Sequence, residues 1–219
     1  AALAGEIKMH TWMLTTWHSV IGLGRISAIC FGLELIATHG KTSWASRFRG
    51  ALFWIVYIPI NVAGLTLLSH LWAQLHIKPL FSVNTGFLQA TPYKPLHVLG
   101  WIVAPVLAGI IGEFFYYWFH RAQHTFKWMW RFHAVHHSLR EMNAFNNYHH
   151  VTEQILRFPF MTIPISLLFS VNTGYIPTLI LGIIHIQGQY EHSTTRINLG
   201  WFRYVVADNR YHRIHHTLN

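Results

Sequence analysis

Residues 51–73 run without a single Asp, Glu, Lys or Arg, and about 20 apolar residues are what one helical crossing of a bilayer needs. A chain with such a run is placed in a membrane before any other feature is read. Three more stretches are long enough to meet the bilayer. Residues 20–37 carry Arg25 and Glu34, and read as a span with one polar side, because charges at that depth are tolerated only against protein or the interface. Residues 96–119 are apolar apart from Glu113. Residues 158–186 are too long for one helix and are interrupted by Asn172-Thr173-Gly174 between Pro164 and Pro177. They read as a helical hairpin that enters and returns on one face.

The fold class expected is all-α, an integral-membrane, multi-pass helical bundle. Loop charges set its orientation. Lys41, Arg47 and Arg49 precede the second span, and Arg121, Lys127, Arg131, Arg140 and Arg157 follow the third, whereas 74–95 holds only Lys78 and Lys94. The positive-inside rule then makes the side after residue 119 cytoplasmic. The sequence begins without Met and stops three residues after its last histidine, which points to a chain continuing beyond one or both ends.

Only 11% of residues are charged, against about a quarter in soluble domains, yet the formal net charge is +9. The basic residues are scattered among aromatics and form no run, so a disordered tail and a nucleic-acid partner are excluded. Cys30 is the single cysteine. It can form neither an internal disulfide nor a thiolate metal site. One hexapeptide occurs twice, as Phe81-Ser82-Val83-Asn84-Thr85-Gly86 and as Phe169-Ser170-Val171-Asn172-Thr173-Gly174. It is read as coincidence or an old local duplication, with Asn and Gly suited to tight turns on the far side of the membrane.

The 18 histidines outnumber all seven carboxylates, and most of them are grouped after residue 119. His120 and His124 are i, i+4 neighbours at the end of the third span; His133-Ala134-Val135-His136-His137 and His212-Arg213-Ile214-His215-His216 repeat one spacing. Residues three and four apart share a helix face, and neutral imidazoles one turn apart can hold a metal ion from a rigid scaffold. These eight exceed the need of one ion, since a zinc site takes about four ligands. Two metals are implied. A carboxylate-rich di-iron bundle would need Glu-x-x-His pairs, and no acid here is followed by His three residues on. Identical spacing used twice is foreign to ordinary packing, whereas His10, His18, His39, His70, His76 and His97 stand alone and read as packing or interface residues.

Two further segments extend the set. Tyr148-His149-His150-Val151-Thr152-Glu153 follows an asparagine-rich stretch, and His185, Gln189 and His192 share a helix face. His192 and His150 are expected as ligands. His149 and His185 are expected in packing or in support of the ligands.

The ordered series HRAQH, FHAVHHS, EHSTTRINLG and YHRIHH, preceded by a tyrosine-rich span, resembles the fatty acid hydroxylase / sterol desaturase superfamily of integral-membrane di-iron oxygenases. The likeness covers roughly residues 96–218. It implies metal ligands at His120, His124, His133, His136, His137, His192, His212, His215 and His216, and it matches His150-Val151-Thr152-Glu153 to a family position reading His-Pro-Leu-Glu. Glu113, often Asp in the family, together with Gln189 and Glu153, would support the ligands. Residues 1–95 would then be membrane-anchoring helices, and 96–219, with the hairpin 158–187, one catalytic domain bearing a histidine-rich cytoplasmic cap.

The resemblance implies two iron ions that use O2 to hydroxylate or desaturate an unactivated C–H bond of a sterol, fatty-acyl or related lipid. All-histidine ligation without bridging carboxylates sets them about 3–6 Å apart, at the loose end of two-metal sites. Zinc in a purified sample would fit the same site, because such ligands exchange metals. Electrons must come from outside, from a reductase or small electron carrier: Gly22-Leu23-Gly24 lacks the third glycine and preceding strand of a dinucleotide fingerprint. The main alternative is a membrane protein that binds or transports divalent metal, although transporters place ligands near mid-membrane and usually include carboxylates. A b-type haem protein would need axial pairs such as His70 with His97 or His185. Glu113 is expected to accept an N–H from a ligand histidine on another helix, or else to pair with Arg25, because an unpaired carboxylate is costly there.

Overall fold

The structure is a computed structural model describing residues 2–38, 40–84, 91–172 and 186–217. The chain gathers into two compact units. The first comprises Ala1–His76, His136–Tyr148 and His185–Asn219; the second comprises Ile77–Val135 and His149–Ile184. Each is built from segments apart in the sequence; in the first, segments bearing histidines hydrogen-bond to the N-terminal helices.

In the first unit, helices α1 (Ala2–Ile36) and α2 (Trp44–Gln74) are long, and two helices, Trp12–Ile36 and Trp44–Gln74, are long and apolar enough to cross a membrane. Both are apolar nearly all round, so they meet each other along a narrow seam of Leu23, Trp54, Ile58 and Val62. Their remaining apolar side chains, such as Ile29, Leu52, Ile55 and Val56, face outward, as lipid-facing helices require. The polar side expected of the first span is Glu34, which is buried, whereas Arg25 is exposed.

Ser43 caps α2 by accepting from Ser46 N–H, and Glu141 accepts from both the amide and the hydroxyl of Ser43. The loop 138–148 is thereby tied to the start of α2. Asn143 and Asn146 both donate to Ser46 Oγ, at 3.1 and 2.8 Å. The backbone of Phe145 approaches so closely that a Cβ on Gly50 would fall 2.1 Å from its carbonyl oxygen. Only glycine permits that contact.

The second unit contains α3 (Lys94–Thr125), the portion of α4 (Lys127–His137) up to Val135, α5 (Val151–Arg157), a π-helical turn (Phe158–Thr162) and α6 (Ile163–Leu168). Phe119 and Met129 are buried, and Phe160 packs against Phe119 and Trp128.

The hairpin expected over 158–186 is corrected in its first arm, which ends in a strand. The repeated hexapeptide forms β1 (Phe81–Asn84) and β2 (Phe169–Asn172), paired in parallel so that Phe81 faces Phe169 and Asn84 faces Asn172. The all-α class expected of the chain holds with this one four-residue pair as its exception among the described residues. Phe and Val favour extended backbone, identical segments put like beside like, and the two phenylalanine rings stack at 5.6 Å. Residues 173 and 174 of the expected turn, and His185, lie outside the described residues. The other regular elements among the described residues are helical, with α7 over residues 186–192, a 3-10 turn (Gly200–Tyr204) and α8 (Asn209–Thr217) in the first unit.

Candidate metal centre

In the first unit, four imidazoles from three helices converge. His136 lies near the end of α4, His192 on α7, and His212 and His216 one turn apart on α8. Their Nε2 atoms close a ring: 3.3 Å from His136 to His192, 3.2 Å from His192 to His212, 3.2 Å from His212 to His216 and 3.1 Å from His216 to His136. Four ligands about 2.1 Å from one ion stand about 3.0 to 3.4 Å from their neighbours, for right-angled or tetrahedral arrangements.

Hydrogen bonding within the ring cannot explain it. His136 Nδ1 faces the carbonyl of Tyr148 at 3.0 Å, and His192 Nδ1 faces the carbonyl of Gly188 at 2.9 Å. A carbonyl only accepts, so in both rings the proton sits on Nδ1 and Nε2 carries a bare lone pair. Those two lone pairs face each other. If His212 and His216 donate to them, the contact between His212 and His216 sets two donors together. At least two of the four contacts are then frustrated, and a cation in the ring relieves them all. His137 stacks on His216 with ring centroids 4.5 Å apart and meets His215 at 4.7 Å. Glu191, which sequence reasoning left out although it adjoins His192, brings a carboxylate oxygen to 3.8 Å from His212 Nδ1.

In the second unit, His120, His124 and His133 pack with ring centroids 4.6 to 5.0 Å apart. The spacing explains the first pair, one turn apart at the end of α3. His133 is fully buried and its Nδ1 lies 3.2 Å from Glu153 Oε2, a contact that puts the ring proton on Nδ1 and the lone pair on Nε2. His149 Nδ1 lies 2.7 Å from the other oxygen, and Arg157 Nη2 3.8 Å. Burial alone would raise the Glu153 carboxyl; the facing His149 and His133 imidazoles and Arg157 outweigh it and hold the group well below the usual carboxylate range. Burial also pushes His149 down to about 4 against the pull of Glu153, so this ring is neutral at pH 7.

Two of the expected residues, His150 and Glu113, stand apart from the clusters. His149 is the buried neighbour of the cluster, whereas His150 is exposed and caps α5, its Nδ1 accepting from Thr152 N–H at 3.1 Å. An imidazole spent on a helix cap beside solvent is a poor ligand. Glu113 is exposed on α3 and makes no hydrogen bond or ion pair among the described residues, so it meets neither a ligand histidine nor Arg25. Among the described residues, Glu153 is the carboxylate that meets the fully buried His133 and the buried His149. Gln189 is fully buried one turn before His192, and Gln123, between His120 and His124 and not singled out by sequence, is buried too; neither side-chain amide finds a partner among the described residues.

Glu153→Gln tests the carboxylate. The substitution keeps shape but leaves one acceptor oxygen for two imidazoles, and hydrogen bonds to charged groups contribute about 1.5–3 kcal/mol. The variant should unfold at lower temperature at pH 7. Unfolded His149 would take up a proton near 6.5 while the folded ring waits until about 4, and a depressed carboxylate loses its contribution as it protonates. Stability of wild type and variant alike should therefore fall as pH drops from 6.5 towards 4, and the gap between them should narrow only below about 4.5, where the unfolded carboxyl takes up its proton. A gap that does not depend on pH would refute this assignment.

Both clusters are compatible with metal binding. A family model for fatty acid hydroxylase matches residues 105–219, a stretch that holds every histidine of both clusters. No curated protein and no solved structure matches the chain. With more than half of its 219 residues matched, the chain belongs to the fatty acid hydroxylase family.

Proposed function

We propose that this protein is a membrane-bound non-haem di-iron oxygenase that hydroxylates or desaturates a lipid C–H bond with O2 and electrons from a separate reductase or small carrier. Family membership supports an oxidoreductase of the lipid hydroxylase or desaturase type. The observation that carries the reading is the ring of four Nε2 atoms in which at least two protons are already committed to Nδ1.

His136, His192, His212 and His216 hold one iron, and His120, His124 and His133 hold the other, with His137 and His215 beside the first set. Bound iron supplies the oxygen chemistry. This chain's part is to orient and to keep dry. The carbonyls of Tyr148 and Gly188 and the carboxylate of Glu153 fix tautomers, so that lone pairs point at the metal with no rearrangement on binding. His133, His136 and His192 are all nearly inaccessible, which keeps competing water from the ligands. Residues 1–95 anchor the chain, which crosses the bilayer several times, and 96–219 carries the chemistry. The basic loops support a cytoplasmic position for the histidines, with the lipid reaching them from the bilayer.

Metal analysis of the purified protein with an absorption spectrum tests this. About two irons per chain without a Soret band, and lipid oxidation that requires both O2 and reductant, are the expected results. A haem spectrum, or zinc that iron cannot replace with gain of activity, would refute it; zinc with transport across vesicles would favour the metal-transport alternative.

A further inference from the structure

Away from the histidines, the first unit holds a cavity of about 370 Å³ lined by Thr195, Arg196, Arg210 and Arg213. From these four residues we infer a binding site for the anionic phosphate headgroup of a membrane lipid.

Each arginine is carried by a braced backbone. Arg196 N–H donates to the Ala37 carbonyl at 2.6 Å, and Thr38 bridges Thr195. Arg210 and Arg213 stand three residues apart on α8, hence on one face. Arg213 donates through Nη2 to the Ser193 carbonyl, and its buried Nε–H has no acceptor among the described residues. Three guanidinium groups around one cavity repel each other. The acids acting on Arg213 are Glu34 and Asp208, and both are engaged: Glu34 with Arg47, Asp208 with the amides of Arg210 and Tyr211 at the start of α8. The helix N-terminus is thus already capped, and the anion is left to the side chains. A planar fork of donors matches phosphate oxygens two at a time.

Position names the source of the phosphate. Ala37, which holds Arg196, directly follows the membrane helix Trp12–Ile36. Ile36 is 81% exposed, and Trp201 and Tyr204, which follow Arg196 in the chain, are 72% and 80% exposed. A segment tied to the end of a span and followed by exposed aromatics fits headgroup depth, where anionic lipids are concentrated on a cytoplasmic leaflet. The cavity admits one headgroup and is too small for a protein segment.

Native mass spectrometry of the full chain, in neutral detergent with phosphatidylglycerol, phosphatidylcholine, oleate or inorganic phosphate, is the test. Wild type should retain one phosphatidylglycerol per chain and much less of the zwitterionic or carboxylate lipid. Arg196→Gln/Arg210→Gln should reduce retention at least tenfold, whereas Lys127→Gln/Arg131→Gln, an equal loss of charge at exposed positions, should stay within twofold. Arg210→Lys, which keeps charge and loses the fork, should fall between and guards against misfolding of the double variant. Equal retention by both double variants would reduce the site to general attraction and overturn the inference. Displacement of the lipid by millimolar inorganic phosphate would overturn the lipid and leave a soluble-phosphate site.

Discussion

His136→Ala is expected to abolish turnover and to lower bound metal from about two ions per chain to about one. The side chain is 1% exposed, and its Nε2 stands 3.3 Å from that of His192 and 3.1 Å from that of His216. Alanine removes two edges of the four-nitrogen ring. It also frees the Tyr148 carbonyl, which had held the ring in one tautomer. Three imidazoles remain, and three protein ligands with an open position are weaker and exchange faster than a closed set. His120, His124 and His133 keep their own partners, which is why half of the metal should stay. His76→Ala is the control, since that residue sits in the turn after α2 with a positive φ of 54° and belongs to neither cluster. Substitutions that merely disturb support, such as at Glu153, should reduce metal affinity about 10- to 100-fold. Wild-type iron content and rate in His136→Ala would refute the assignment of the ring as a metal site.

Glu34→Ala should have the largest effect on stability of any single change outside the clusters. Glu34 is 2% exposed; one oxygen meets Arg47 Nη1 at 2.5 Å, and the other accepts the amides of Ala144 and Thr194, each at 2.8 Å. Alanine strands a guanidinium that is itself only 11% exposed, together with two buried N–H groups. Breaking a buried pair by removing one partner costs about 3–5 kcal/mol, which for a chain of this size lowers the unfolding midpoint by about 10 °C. Ala144 lies in the loop between His136 and Tyr148, and Thr194 lies two residues after His192. Loss of Glu34 should therefore loosen the four-histidine ring as well and reduce its metal content. Glu34→Gln keeps an acceptor for the amides and removes only the charge, so its loss should be about half as large. Thermal unfolding in detergent, with metal content on the same samples, reads both effects. An unfolding midpoint within a degree or two of wild type for Glu34→Ala would show that the network has no such role.

The local parts of the site were legible in the sequence because they depend on helix geometry alone. His120 with His124, and His212 with His216, are neighbours on any helix that contains them, and the repeated spacing marked both boxes. The tautomers were not legible, because they depend on carbonyls of Tyr148 and Gly188 that no spacing rule points to. The choice between adjacent histidines at 149 and 150 was equally hidden. One became a helix cap and the other turned inward, a difference decided by where α5 begins.

The sequence by itself determined that the chain has helices able to cross a membrane, a family, and a set of imidazoles spaced for metal. These follow from hydrophobic run length and from a 3.6-residue period, both properties of short segments. Only the tertiary structure decided that β1 pairs with β2, that Glu153 and not Glu113 serves a buried imidazole, that Glu34 ties α1 to the loops beside His136 and His192, and that Arg196 joins Arg210 and Arg213. Each of these joins residues far apart in the chain. Such pairs are set by burial: a carboxylate or an imidazole removed from water must find a partner wherever the packed chain supplies one, and spacing in the sequence does not record where that is.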